Sequence, residues 1–548
     1  FANMPDWNPA EMIGVAPRPL ALSLYQYLIT DYVWAKARDA SGYRDVYPNP
    51  LMYSFAGHPY IDVRTSFNSF LPAQLTPQLS EKLINHYLEK LKEHPEFHDK
   101  VEFEIVITCL TFDFDFHSER LLKDGFEDSE IKLLRNSLLN LTNEIITSRK
   151  ASIQEQLNLM LKLKEREKHI SEVKVQDIED LSPIIGYFLD DCIRYGTLPF
   201  SILARYAFIA TSFLKSLQQL NVFSHHEMEQ FLMSIPTVAT EMSKNLFLLN
   251  QGMISQNEFL ATYGHLRPGT YDILSPRYDE AFEIYFSNGQ RKDLSPQEAY
   301  WKEDLPEDFP SRIFLEKEEQ VTKLLKESGF EFPPEVLLHF IVQSIQYREL
   351  AKFEFTKHVS NVLRLLGIFG EKIGLTKEDI SYLPIKEVLD YKNRNSTCSF
   401  KRDITRKIES NKKFHKITQA IRLPNLIVST DDIDSFHIQG ELPNFITNKK
   451  IIGPVINLDS FSGAKEFKGK IVVIEKADPG YDWIFGHQIA GLITKYGGVA
   501  SHMAIRAAEF GLPSAIGCGE LIFNQITKAK MVELNCSTRQ IHIIEKDL

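Results

Sequence analysis

Gly497-Gly498-Val499-Ala500-Ser501-His502-Met503-Ala504-Ile505-Arg506-Ala507-Ala508-Glu509-Phe510-Gly511-Leu512-Pro513 decides how the rest of this chain is read. Ahead of it, residues 489–494 form a short apolar run that suits a buried strand. Two glycines then permit a tight turn, Ser501 is a natural N-cap, and a helix pattern runs on until Gly511 and Pro513 stop it. His502 therefore falls in the first turn of a helix, where free N–H groups and the dipole favour an anion. A neutral imidazole nitrogen is a good nucleophile near neutral pH. A phosphoryl group on His502 would have its new charge partly stabilised by the helix end, with Ser501, Gly498 and Arg506 as the nearest phosphate-binding candidates. Arg506 lies four residues on, close to the same helix face.

The chain has 548 residues, too many for one core, and about three or four domains are expected. Apolar content of 43% and charged content of 25% are those of an ordinary globular protein. A formal net charge of −11 gives no general attraction to nucleic acid or to an anionic membrane, so neither is expected as a partner. No apolar run reads as the roughly 20 residues needed to span a bilayer, and no signal peptide is recognisable. The five cysteines show no CxxC spacing, which argues against a zinc site and a disulfide framework. A cytoplasmic location is the simplest expectation. Because the first residue is Phe1, a segment upstream of this sequence is also expected.

Residues 1–72 are rich in Pro, Gly and aromatics and predict short strands and turns, with one helix over 20–36. Within them, Asp6-Trp7-Asn8-Pro9-Ala10-Glu11 is a compact polar-aromatic segment, either a strap with a buried Trp or part of a site. A charged amphipathic helix is expected over 73–100. Residues 101–117 alternate, with Phe112, Phe114 and Phe116 opposed to Asp113, Asp115 and His117, and the period of two predicts a strand. Its polar face is a candidate metal site or simply a solvated surface. Long antiparallel helices are expected over 127–174. Arg205 stands in an almost unbroken hydrophobic run, so it needs either Asp190 or Asp191 as partner, or a ligand anion.

Tyr263-Gly264-His265-Leu266-Arg267-Pro268-Gly269-Thr270-Tyr271-Asp272, continuing to Arg277 and Glu280, is too dense in Gly and Pro for a helix. It predicts an ordered loop that could orient a polar substrate through His265, Arg267 and Arg277, with Asp272 as orienter or base. Residues 291–315 read as polar and exposed, and helices are expected over 316–328 and 334–373. The second helix carries Arg348 and Lys352 on one face, either as a salt-bridged surface or as a cavity wall. A hinge is expected within 376–415. After residue 423, short β-type runs separated by turns surround a single helix, the pattern of a small β/β/α unit. No GxGxxG, HExxH or GxSxG occurs, and Gly463 to Ile471 only nearly matches a P-loop.

The order Gly-Gly-x-x-Ser-His-x-Ala-Ile, Glu-Phe-Gly-Leu-Pro and Gly-Cys-Gly at 517–519 resembles the swivelling phosphohistidine domain of phosphoenolpyruvate-utilising enzymes. That family includes phosphoenolpyruvate synthase, pyruvate phosphate dikinase and the rifamycin phosphotransferases. Its usual arginine is replaced here by Ala508. Asp478-Pro479-Gly480 is similar to the family's Asp-Pro loop. The 263–280 loop resembles a Tyr-Gly-His motif of the rifamycin-phosphotransferase branch.

The resemblance implies an α+β multidomain protein. It divides as an entry segment at 1–72, a mainly helical substrate-binding domain at 73–415, and a swivelling phosphohistidine domain at 416–548. It further implies ATP and Mg²⁺ handled by an ATP-grasp domain in cis or trans, which this sequence does not contain. Splitting of ATP to AMP and phosphate would then follow, with His502 as catalytic residue. The implied acceptor site would draw on His265, Arg267, Asp272, Arg277, Arg205, Arg348, Lys352, Asn8 and Glu11, with no metal of its own. The opening segment is similar to a subgroup linked to bacterial capsule genes, whose best-understood activity is L-glutamine kinase. An antibiotic phosphotransferase and a non-catalytic carrier fragment are the alternative expectations.

Overall fold

The longest amphipathic pattern of the sequence becomes the central element, the helix Pro334–Lys372, whose apolar positions are buried along most of its length. The computed structural model describes residues 1–171, 178–286, 309–393, 397–436, 442–458, 467–498 and 501–546. Around that helix pack Asp128–Ile146, Ile153–Ser171, Ile178–Cys192 and Leu198–Gln219. Their buried leucines and phenylalanines join the 1–72 segment in one apolar core extending from Ala2 to Ile408. The stretch Glu179–Gln219 is long and apolar enough, by length and composition, to cross a membrane. In its most apolar window 78% of the residues are buried in the protein, so the apolarity is that of a core helix.

The 1–72 segment holds one hairpin, β1 (Met52–Phe55) against β2 (His58–Ile61). The rest is largely helical, with Pro19–Tyr25 and Val33–Ala40 flanking a wider turn at Gln26–Thr30. Pro77–Glu93 is the expected charged helix and stops at His94-Pro95.

The expected strand over 101–117 is not formed. Val101–Glu104 and Phe114–Lys123 are helices with irregular chain between them. The alternation at 112–117 misleads because Phe114 and Leu121 are a 3.6-period pair facing the core, while Phe116 is exposed. Asp113 accepts from Thr111 Oγ1 at 2.6 Å and Asp115 is exposed, so Asp113, Asp115 and His117 do not share a strand face. No cluster of three or more His, Cys, Asp or Glu residues able to hold a metal occurs among the described residues.

The expected hinge region is also helical, through Lys377–Ser381, Ile385–Leu389 and Thr397–Ala420, and Phe400, Ile404 and Ile408 anchor the last of these in the main core. Passage to the sheet begins instead after Ala420. Most of the expected exposed segment at 291–315 lies outside the described residues, as do Val499 and Ala500.

The C-terminal sheet has seven strands in the order β3-β7-β6-β5-β4-β8-β9. These are β3 (Asn444–Ile446), β4 (Lys450–Asn457), β5 (Ile471–Lys476), β6 (Gly491–Tyr496), β7 (Ser514–Ile516), β8 (Ala529–Asn535) and β9 (Gln540–Lys546). β4 to β7 pair in parallel, and β3, β8 and β9 add antiparallel edges. β5 and β6 read as nearly continuous apolar runs because both faces are covered. Gly519–Ile526 is a second helix beyond the one expected.

One face of the sheet shares a core with Met242, Leu246, Phe259, Tyr263, Tyr278 and Phe286. Residues 238–286, read from sequence as part of the helical unit, therefore form the seam between that unit and the sheet.

Candidate active site

Three loops leave the carboxyl ends of parallel strands β5, β6 and β7, the edge where α/β sheets place their ligands. The loop after β6 delivers His502. Ser501 caps the helix His502–Glu509, its Oγ accepting from Ala504 N at 3.2 Å, and Gly511 ends it in the left-handed region. Gly498 is required by a close approach: a Cβ there would lie 2.8 Å from Asp99 O and 3.1 Å from Asn8 Nδ2. The histidine loop is thus pressed against the N-terminal part of the helical unit.

His502 is 3% exposed and sits between two carboxylates from different parts of the fold. Its Nε2 is 2.7 Å from Asp482 Oδ1 of its own region, and its Nδ1 is 3.2 Å from Glu349 Oε2 of the long helix. Arg506 Nε also points at Nε2, from 3.4 Å. A nitrogen that donates to Asp482 cannot accept from Arg506, so the hydrogen bond is the shorter contact, from Nε2–H to Asp482.

Arg506 is a latch in this arrangement and not a free phosphate ligand. It reaches Glu349 at 2.7 Å and Thr237 Oγ1 at 2.9 Å across the seam, and pairs with Glu509 on its own helix. Burial works against the Arg506 charge, but Glu509, Glu349 and Asp482 keep the guanidinium firmly protonated. Burial likewise opposes ionisation of Glu349, yet Arg506, Arg348 and His502 together hold its carboxyl well below the ordinary range.

A second latch lies beside it. The buried Asp478 carboxylate accepts from Gly269 N at 3.0 Å, Thr270 N at 3.2 Å and Gly480 N at 2.8 Å. Burial still pushes its pKa above the ordinary value, against those hydrogen bonds and Lys352. Gly480 allows the 263–280 loop to close on the sheet, because a Cβ there would be 1.7 Å from Arg267 O.

His502 lines two cavities. The smaller, about 30 Å³, brings in His265, Arg267, Thr270, Lys352 and Arg506. The larger, about 120 Å³, is walled by Asn8, Glu11, Arg205, Arg348, Lys352 and Ser501, together with aromatic side chains. Asp6, Trp7 and Asn8 all take positive φ, a run of left-handed residues that lays the Trp7 and Asn8 side chains against this larger cavity. Asn8 Nδ2 donates to Glu11 Oε2 at 3.1 Å. Burial raises the Glu11 carboxyl, opposed by Lys352, Asn8 and Gly498. Burial lowers Lys352, opposed by Glu349 and Glu11.

Asp272, Arg277 and Gly498 line neither of these cavities. Asp272 is exposed and accepts from Leu274 N at 3.0 Å, so it closes a turn. Arg277 forks onto Asp279 at 2.8 and 2.6 Å. Arg267 lines the small cavity but donates to Ser275 O at 3.1 Å and Ser360 Oγ at 3.2 Å, holding the loop's shape. Burial lowers its pKa to about 10. Burial also pushes His265 down to about 3, keeping it neutral. Arg205 pairs with Glu102, not with Asp190 or Asp191, which take Tyr27 and Arg166.

Sequence reading did not single out Glu349, Asp482, Thr237, Glu509 or Glu102. Asp482 lies two residues beyond the Asp478-Pro479-Gly480 segment and Glu349 between the candidate cations Arg348 and Lys352, which is signal enough to include them. Nothing local marked Thr237 or Glu102.

The family model described as PEP-utilising enzyme, mobile domain, matches residues 466–539, which include His502 and Asp482. No curated protein matches the chain at a significant level. The C-terminal region is thus of the PEP-utilising mobile-domain type, and the match supports a phosphotransferase that works through a phosphohistidine.

Proposed function

We propose that the protein moves a phosphoryl group from ATP through His502 to the side-chain amide nitrogen of L-glutamine, supplying a phosphoramidate for capsular polysaccharide. The observation that carries this reading is that His502, at a helix start, forms part of the wall of a small charged cavity built by the helical unit. In the first half-reaction, at an ATP-grasp domain in cis or trans that would hold ATP and Mg²⁺, a P–O bond of ATP breaks and a P–N bond to His502 forms. Water takes the remaining phosphate, so ATP, water and His502 give AMP, phosphate and phosphohistidine.

In the second half-reaction the His502 P–N bond breaks, its electron pair returning to the ring, as the acceptor nitrogen bonds to phosphorus. In this reading Lys352 and Arg348 offset the phosphoryl charge. The acceptor's proton goes to Glu11, whose carboxyl burial has already raised toward the working pH. Separate sites let each half-reaction have its own dry, charge-matched surroundings.

Cavity size favours a small acceptor over an antibiotic. A volume of about 120 Å³ corresponds to roughly ten water-sized spaces, enough for an amino acid and too small for a macrocycle. The test is mass spectrometry of the chain after incubation with ATP and an ATP-grasp partner, followed by an AMP-release screen of amino acids against antibiotics. An acid-labile adduct on His502, absent in His502→Ala, with AMP release dependent on L-glutamine, is expected. An adduct with one AMP per chain and no further AMP release for any acceptor would leave only a carrier.

A further inference from the structure

The larger cavity has a second charged end, formed by two ion pairs of which only Arg205 stood among the sequence candidates. Arg205 pairs with Glu102, and Arg38 donates to Asp6 Oδ1 at 2.9 Å. Both guanidiniums lie on the ring of Phe70, with Arg38 at 4.1 Å and Arg205 at 5.3 Å from its centroid, so the two pairs form one cluster. All four side chains are buried or nearly so and line the cavity. Two of the donors are left over: Arg38 Nη1 and Arg205 Nε have no acceptor among the described residues, and neither does Trp7 Nε1.

Between this cluster and the Glu11–Lys352–His502 end runs an aromatic waist. Trp7 meets Phe200 at 5.9 Å, Phe200 meets Phe355 at 4.9 Å, and Tyr25 meets Tyr271 at 5.3 Å. A buried guanidinium N–H without an acceptor is costly, and a ligand carboxylate would satisfy it. The cluster carries two cations and two carboxylates, so it is already balanced. A ligand of net charge would unbalance it, whereas one bringing a carboxylate and an ammonium together would not.

We propose that this cluster is the recognition site for the α-ammonium and α-carboxylate of the acceptor. The carboxylate meets Arg38 and Arg205, the ammonium meets Glu102 and Asp6, and the side chain crosses the aromatic waist to His502. The inference rests on the reading of His502 as phosphoryl donor to a small acceptor, and specifies how that acceptor is held. It makes the enzyme selective for a free amino acid and blind to the same side chain inside a peptide.

The test is calorimetric binding to the full chain without ATP, so it does not depend on phosphoryl transfer. L-glutamine is compared with L-glutamine α-amide, N-acetyl-L-glutamine and glutaramate, which lacks the ammonium. Each modification is expected to weaken binding at least tenfold. Glu102→Gln should weaken L-glutamine tenfold without weakening glutaramate, while Arg38→Gln should weaken L-glutamine without weakening the α-amide. Trp7→Phe, which keeps an aromatic ring and an uncharged side chain while removing the indole N–H and part of the ring, serves if those variants melt early. Capped analogues binding as tightly as L-glutamine, or no free amino acid binding at all, overturns the proposal. Normal binding without transfer from phosphorylated His502 would instead overturn the phosphotransfer reading and leave this one standing.

Discussion

Replacing Glu349 by Gln should loosen the seam that holds His502 in its cavity. Glu349 Oε2 is 2.7 Å from Arg506 Nη2, across the seam, and Oε1 is 3.1 Å from Arg348 Nη1. Gln keeps the volume but removes the charge and turns an amide NH₂ toward one of the guanidiniums. Breaking a buried pair by removing one partner costs about 3–5 kcal/mol. Arg506 keeps Glu509 and Asp482, so the lower end, about 3 kcal/mol, is the better estimate.

At 1.4 kcal/mol per factor of ten, undocking should become about a hundredfold more frequent. Hydrogen exchange read by mass spectrometry is the assay, because a chain with several cores has no single unfolding free energy. Exchange in 502–509 and 479–487 should quicken by up to that factor, while 359–366 in the main core stays slow. Glu354→Gln is the control, since Glu354 lies on the same helix but pairs with Lys164 and not with Arg506 or His502. Unchanged exchange at 502–509 in a folded Glu349→Gln protein would refute the latch.

Other outcomes follow from the buried titratable groups. Burial lifts the Glu11 carboxyl above its ordinary value, so native stability is lost as pH rises through the unfolded value and the deficit is complete above the folded one. Glu11→Gln should therefore melt higher than wild type at pH 7, with the difference gone below about pH 4.5, and should lose turnover; a lower melting point at pH 7 would contradict the burial argument. His265 behaves oppositely in pH, because burial depresses it from 6.5 to about 3. The unfolded chain takes up a proton that the native chain refuses, so stability falls as pH drops from 6.5 toward 3, by at most about 1.4 kcal/mol per pH unit. His265→Asn should flatten that part of the melting profile, and an NMR titration of the ring between pH 5 and 8 should show no shift.

Much of the site's first layer was legible in the chain itself. A Ser cap, a Gly-Gly turn and a Gly-x-Pro stop are local backbone chemistry, so they locate the start of the His502 helix without any tertiary information. Apolar periodicity did the same for Pro334–Lys372 and for β4 to β6. The alternation at 112–117 failed because six residues are too few to separate a strand from one helical turn whose aromatic residue faces solvent.

Partners were the part that sequence could not supply. Arg205 needed an anion, which follows from burial cost alone, but that the anion is Glu102 depends on how helices 103 residues apart are packed. Asp272 and Arg277 had the right chemistry in the right loop, and backbone geometry spent both on local turns. Glu349 and Asp482 come to the two nitrogens of one imidazole only because the sheet lies against the long helix along the 238–286 seam. Charge types are written residue by residue, whereas a charge's meaning is set by what the folded chain brings within about 3 Å of it, and that is decided by packing.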